Sequence, residues 1–176
     1  DGGAGADVLS GGAGTDTVEY LLSDAGVRVN LGAGTATGGH ATGDALVGIE
    51  NLTGSAFSDI LTGDAGANVL RGMDGNDSLY GQDGNDVLVG GKGNDMLYGG
   101  RGRDVFLFDE RGFGIDQVGD FEKGSDQISF AGIGIDFADL RITKAGAYSM
   151  ITFDQAGGTV MVFSPATLDR SDFLFA

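Results

Sequence analysis

Asparagine or aspartate returns at nine-residue spacing in two blocks of this chain, at Asp7 and Asp16 and then at Asp59, Asn68, Asp77, Asp86, Asp95 and Asp104. Each lies two residues ahead of a large apolar side chain: Leu9, Val18, Leu61, Leu70, Leu79, Leu88, Leu97 or Phe106. Carboxylate and amide oxygens are hard donors, and stacked at a fixed interval they can hold an oxygen-seeking cation. Glycines keep the same rhythm. Each unit opens on glycine and most carry glycine fourth, which permits positive φ and leaves carbonyl oxygens uncovered by a Cβ. Six units run without a gap from Gly54 to Leu107, and two more begin at Gly2 and Gly11. A degenerate ninth, from Ala45, puts Glu50 sixth and Leu52 eighth.

The elements that position these donors follow from the same count. Six residues make a turn, and the last three, such as Val87, Leu88 and Val89, suffice for one short strand whose alternation sends the eighth residue to one side. A short fixed repeat defines a stacked all-β architecture with leucine in a narrow core.

Units such as GQDGNDVLV and GGKGNDMLY resemble the RTX, or hemolysin-type, calcium-binding repeat of type I secreted bacterial exoproteins. The resemblance implies a parallel β-roll (a β-solenoid) with two units per coil, a strand-rich C-terminal cap, and several Ca2+ ions gripped between units i and i+2. It implies side-chain ligands at the sixth place of each unit, from Asp7, Asp16, Asp59, Asn68, Asp77, Asp86, Asp95 and Asp104. The stacked pairs would be Asp59 with Asp77, Asp77 with Asp95, Asn68 with Asp86, and Asp86 with Asp104. Backbone carbonyls at first and third places complete the set, from Gly72, Asp74, Gly81, Asp83, Gly90, Lys92, Gly99 and Arg101. Phe57 replaces a fourth-place glycine and Asn68 an aspartate, so the strongest sites are expected in the last four turns.

Carboxylates about 5 Å apart repel by roughly 1 kcal/mol in water and about 3 kcal/mol at an effective dielectric of 20. With 35 glycines in 176 residues, the chain also loses unusual conformational freedom on folding. Metal-binding energy must therefore act as folding energy.

The 26 acidic against 10 basic residues, a net charge of -16, argue against nucleic acid or an anionic membrane surface as partner. There is no cysteine, so no disulfide or thiolate metal site exists; in an exported protein calcium can take the stapling role that disulfides often fill. No apolar run approaches the roughly 18 residues of a membrane span. The chain begins inside a repeat without a signal peptide, which suggests the C-terminal piece of something longer.

Residues 1–107 are expected to form the roll with a strand-and-loop insertion at 20–44, where Val27, Val29 and Leu31 alternate with Arg28 and Asn30. Residues 108–176 are expected to form a capping and secretion segment. The stretch from Asp116 to Phe121, with Gly124, Asp126 and Ile128, looks like the closing segment of serralysin-type proteases, and strands are expected at 127–130, 148–153 and 159–163. Gly157 and Gly158 make the last two a hairpin. The terminus Ser171–Ala176, an acidic residue before an apolar end, is similar to tails read by type I (ABC) exporters.

Stacking assigns the outward residues to two faces. One collects Ile60, Ser78 and Met96 with Thr62, Tyr80 and Tyr98; the other collects Val69, Val87 and Val105 with Arg71, Val89 and Leu107. The second is too apolar for a solvated face and is expected to be covered. Tyr80 and Tyr98 offer either a surface ladder or a stacking platform for sugars.

His40 is the only histidine, so no zinc-protease motif is present, and no enzymatic activity is expected. The function implied is a calcium-binding module that folds outside the cell, secreted or at the cell surface, supporting export and stability of a larger protein. Its partners would be the type I secretion apparatus and an upstream domain of the same polypeptide. The alternative is a carbohydrate-binding or adhesive module like those of alginate epimerases, with a polysaccharide as partner.

Overall fold

The computed structural model describes residues 1–153 and 157–175. The first two units supply β1 (Val8–Ser10) and β2 (Thr17–Glu19). Residues 20–44 supply β3 (Arg28–Asn30) and β4 (Thr35–Thr37), followed by β5 (Ala45–Val47) and β6 (Asn51–Thr53). The uninterrupted repeats then give β7 (Ile60–Thr62), β8 (Val69–Asp74), β9 (Ser78–Gly84), β10 (Val87–Lys92), β11 (Met96–Gly102) and β12 (Val105–Leu107). Successive strands alternate between two sheets, so each pairs in parallel with the strand eighteen residues away: Leu61 with Leu79 and Leu79 with Leu97 in one sheet, Leu70 with Leu88 in the other. The fold is a parallel β-roll.

Register carries the eighth-place residues into two columns. Leu61, Leu70, Leu79, Leu88, Leu97 and Phe106 are wholly buried, because a period of two along a three-residue strand turns its central side chain inward. Truncating any of them would leave a void in a core one side chain deep on each sheet.

The segment 20–44 lies within the sheet order rather than outside the roll. β3 pairs in parallel with β7 and antiparallel with β4, so Val29 falls in register with Leu61. The expected alternation is present, with Val27 and Val29 buried and Arg28 exposed.

Beyond the repeats, β13 (Gly114–Val118) extends the first sheet and β14 (Gln127–Ser129) the second. β15 (Leu140–Ala145), β16 (Tyr148–Phe153) and β17 (Gly158–Phe163) form an antiparallel meander, with β17 also parallel to β13. β18 (Phe173–Leu174) closes the second sheet beside β14. The expected pairing of 148–153 with 159–163 is present, with Gly157 at positive φ; the rest of that turn, 154–156, lies outside the described residues. Here phenylalanine replaces leucine, and Phe130 packs against Phe108, Phe153, Phe173 and Phe175.

The apolar outer face divides in two. Arg71 on β8 reaches past β10 to Asp109 at 3.0 Å, and Val89 beneath that ion pair is buried. In the seventh-place row Val69 is 38% exposed while Val87 and Val105 are half-buried. The expected cover is therefore partial: Val89 is buried, Leu107, Val87 and Val105 are half-buried, and Val69 stays exposed.

In the last four repeats the second-place residue adopts φ near +90°, as Gly91 (98°) and Gly100 (95°) do, yet Met73 (86°) and Gln82 (84°) hold it with side chains. That conformation costs a non-glycine residue about 1–2 kcal/mol, partly offset because glycine frees the unfolded chain by about 0.4–1 kcal/mol. Met73→Gly and Gln82→Gly should each stabilise the calcium-loaded protein by about 0.5–1 kcal/mol. Chemical denaturation at saturating calcium checks this; a loss of stability in both variants would contradict it.

Candidate metal centres

Each repeat turn leaves a small cradle at its first-place glycine. A Cβ built on Gly72 would lie 2.2 Å from Asp77 Oδ2 and 2.5 Å from the carbonyl oxygen of Gly90; on Gly81 it would meet Asp86 Oδ2 and Gly99 O at 2.3 and 2.5 Å. Any side chain there would fill a space bounded by one carboxylate oxygen and one carbonyl from the stacked turn.

The sixth-place carboxylates form two ladders through their other oxygen. Backbone N–H groups of Asp59, Asp77 and Asp95 donate to Oδ1 of Asp77, Asp95 and Asp116 at 2.8, 2.8 and 2.9 Å. On the sister ladder Asn68, Asp86 and Asp104 donate to Asp86, Asp104 and Asp126 at 2.8, 2.9 and 3.1 Å. All four pairs expected from the stacking are thus adjacent.

Oδ2 of Asp77, Asp86, Asp95, Asp104 and Asp116 is buried without a hydrogen-bond partner, as is Oδ2 of Asp7 and Asp16. An unpaired buried carboxylate costs several kcal/mol after relaxation. So many in a column require a counter-charge. Among the described residues no three His, Cys, Asp or Glu side chains form a group able to hold a metal, so each centre must draw much of its oxygen set from the backbone. That donor set fits Ca2+, which takes 6–8 oxygens in tolerant geometry.

The upstream turns differ. Asp59 Oδ2 accepts the Ser55 N–H at 2.6 Å, and its Oδ1 accepts the Ser55 hydroxyl and the Val27 N–H at 2.8 and 2.7 Å. Asn68 Oδ1 accepts the Asp64 N–H, while its amide donates to the Glu50 carbonyl, both at 2.8 Å. At the start of the roll, Asp7 and Asp16 donate their N–H groups to Asp44 Oδ1 and Glu50 Oε2 at 2.9 and 2.8 Å. The third-place side chains of Asp74, Asp83, Lys92 and Arg101 are exposed, and Lys92 pairs with Asp74 at 3.4 Å on the surface. The Lys92 carbonyl accepts the Gly75 N–H at 2.9 Å, leaving one lone pair.

Within the protein alone, burial pushes Asp77 and Asp116 up to about 8, with neighbouring carboxylates adding to the rise. Burial likewise lifts Asp86, Asp95 and Asp126 to about 6 and raises Asp59 and Asp104. A proton and a cation therefore compete for these carboxyls, the proton most strongly at Asp77 and Asp116.

Several residues of the ladders escape the nine-residue count. Asp44, Asp116 and Asp126 each receive a sixth-place N–H, and Asp120 accepts the N–H groups of Gly99 and Gly100 at 2.9 and 2.8 Å. Fifth-place side chains form a further ladder: Ser58 Oγ accepts from Asn76 N–H, Asn76 Oδ1 from Asn94, and Asn94 Oδ1 from Ile115. The motif glycine, any residue, aspartate, any residue, apolar, at Gly114–Val118 and Gly124–Ile128, is the signal that finds Asp116 and Asp126.

The model of the RTX calcium-binding nonapeptide repeat matches residues 1–20, 45–79 and 71–106. The R3 subunit of the AlgE6 mannuronan C5-epimerase from Azotobacter vinelandii is 31% identical, covering 68% of this chain and 79% of that one with a TM-score of 0.54. The chain belongs to the RTX calcium-binding repeat family. The R2 subunit of the same epimerase is 25% identical over 72% of this chain and 92% of its own, with a TM-score of 0.52. The extracellular lipase LipA of Serratia marcescens shares the fold at 20% identity and a TM-score of 0.50; this chain covers 98% of itself and 34% of that protein. No curated protein sequence matches the chain. This RTX module is thus a calcium-binding β-roll, and its cofactor is Ca2+.

Proposed function

We propose that this RTX module is a calcium-triggered folding and export device, secreted and working outside the cell as part of a larger protein. The observation that carries this reading is the column of buried, partnerless carboxylate oxygens. Bound calcium supplies the positive charge that lets neighbouring turns close. Asp77, Asp86, Asp95 and Asp104 would hold it, with carbonyls of Gly72, Gly81, Gly90 and Gly99 and the third-place residues, while Asp59 and Asn68 contribute less. Sites of the weak extracellular class, with dissociation constants of about 10⁻⁴–10⁻³ M, would stay empty in the cytosol and fill outside.

Residues 1–107 act in this reading as the roll and 108–176 as cap and export segment. Phe173 is 3% exposed and packs on Phe130, Phe137 and Phe175, and Asp172 pairs with Lys123 at 3.3 Å. A type I exporter could read such a tail only before folding, which low cytosolic calcium would ensure. Ala176 lies outside the described residues. Deleting residues 171–176 from the full chain, co-expressed with a type I exporter, should abolish its appearance in the medium. Unchanged export would remove the secretion role.

The module itself is read as non-enzymatic. Ser23 Oγ accepts the backbone N–H of His40 at 3.0 Å and donates to the Ala25 carbonyl at 2.7 Å, so this pair is not arranged as nucleophile and base. A polysaccharide-positioning role draws support from the likeness to mannuronan epimerase subunits. The tyrosines lend it little: Tyr80 and Tyr98 stack on each other at 5.3 Å and 9°, and a Cβ on Gly119 would lie 2.2 Å from the Tyr98 ring. Tyr98 therefore has neither face open to a sugar.

A further inference from the structure

We infer that Asp116, outside the nonapeptide units, is a calcium ligand that carries one of the two ladders a step past the repeats, while the sister ladder ends at Asp126 without a metal. The inference rests on the calcium reading above and concerns where that chemistry stops. The last nonapeptide ends at Leu107, and Asp116 follows Asp95 by 21 residues rather than 18.

The turn before Asp116 nevertheless reproduces the contacts of a repeat turn. Its first place departs, with Arg111 for glycine, but that guanidinium turns away to donate to the Ile133 carbonyl at 2.9 Å and Asp116 Oδ2 stays unpartnered, while Gly112, Gly114, Asp116 and Val118 occupy the second, fourth, sixth and eighth places. Val118 is buried in register with Leu97. Gly114 stacks on Gly93 so closely that a Cβ would fall 1.7 Å from its carbonyl oxygen, as one on Gly93 would fall 1.5 Å from that of Gly75. Ile115 N–H donates to Asn94 Oδ1 at 2.9 Å, as Asn94 N–H donates to Asn76 Oδ1 at 2.8 Å. Gln117 N–H donates to the Asp95 carbonyl at 2.8 Å, as Met96 N–H does to that of Asp77.

The carboxylate itself decides the matter. Asp116 is wholly buried, its Oδ1 takes the Asp95 N–H, and its Oδ2 has no partner. Asp126 occupies the equivalent place on the sister ladder, yet its Oδ2 accepts the Glu122 N–H at 2.8 Å and its Oδ1 the Asp104 N–H. Protein donors complete one carboxylate and leave the other to a cation. Because β13 also pairs with β17, a metal at Asp116 would tie the repeats to the closing meander.

Calcium counted by native mass spectrometry on the full chain, with circular dichroism reporting the fold, tests this. Asp116→Asn keeps an oxygen for the Asp95 N–H and should bind one ion fewer than the unaltered chain, whereas Asp126→Asn should bind the same number. An unchanged count in a folded Asp116→Asn would overturn the inference while leaving the calcium reading intact; an unaltered chain that binds no calcium would overturn both. Should Asp116→Asn fail to fold, crystals of the unaltered chain grown in calcium decide. A calcium density peak about 2.3–2.6 Å from Asp116 Oδ2 supports the site, and water or empty density there refutes it.

Discussion

Stripped of calcium by a chelator at pH 8, the chain is expected to lose its β-structure, and acidification to pH 5 in the same chelator should restore part of it. The sign follows from the buried carboxyls. Asp77 and Asp116 lie at about 8, and Asp86, Asp95 and Asp126 at about 6, all above the ordinary 3.8 because burial disfavours charge. From 3.8 upward the unfolded chain gives up these protons while the folded chain keeps them. Stability of the metal-free roll is thus full below 3.8 and is lost as pH rises through about 6 and then about 8. A rise of one pH unit in one carboxyl is worth about 1.4 kcal/mol, so five together rival the roughly 5–15 kcal/mol that holds a domain. At neutral pH calcium must do what protons do in acid, and its affinity should fall as pH falls. Ellipticity near 218 nm across a pH series in chelator reads the effect; β-signal that is full at pH 8 without calcium contradicts it.

Asp95→Asn should raise the calcium concentration at half-folding by about tenfold or more, about 1.4 kcal/mol in binding energy, whereas Asp59→Asn should move it less than about threefold, under about 0.7 kcal/mol. Both aspartates occupy the same place in the repeat and both are buried. What separates them is the second oxygen. Asp95 Oδ2 has no protein donor, while Asp59 Oδ2 holds the Ser55 N–H. Asparagine retains an acceptor for the Asp77 N–H at position 95, so the contrast isolates the charge offered to the metal. Equal shifts in the two variants would mean that place in the repeat, not the local donors, sets the contribution.

The ladder was legible because one arithmetic controls everything from Gly54 to Leu107: a period of nine fixes turn, strand, register and ligand row together. It failed wherever the count slipped. Asp116 and Asp126 lie 21 and 22 residues past their partners, so a search for nines passes over them although the stacking contacts persist. Asp44 joins the ladder from a segment whose glycines read as loop punctuation. Residues 20–44 read as an insertion because no repeat marks them, but β3 satisfies the sheet with Val27 and Val29, and the Val27 N–H reaches Asp59. The weakness of the Ser55–Asp59 turn was visible as Phe57, but the closing of Asp59 by a serine hydroxyl and N–H depends on a local turn that spacing does not encode.

The central claim, that calcium binding is the folding energy of this roll, is tested most directly by titrating the metal-free full chain with calcium at pH 7.5 while following far-ultraviolet circular dichroism. The account predicts a disordered spectrum without calcium and a cooperative gain of β-signal, with a midpoint of about 10⁻⁴–10⁻³ M. A chain that shows the full β-signal before calcium is added, or none after saturation, would contradict it.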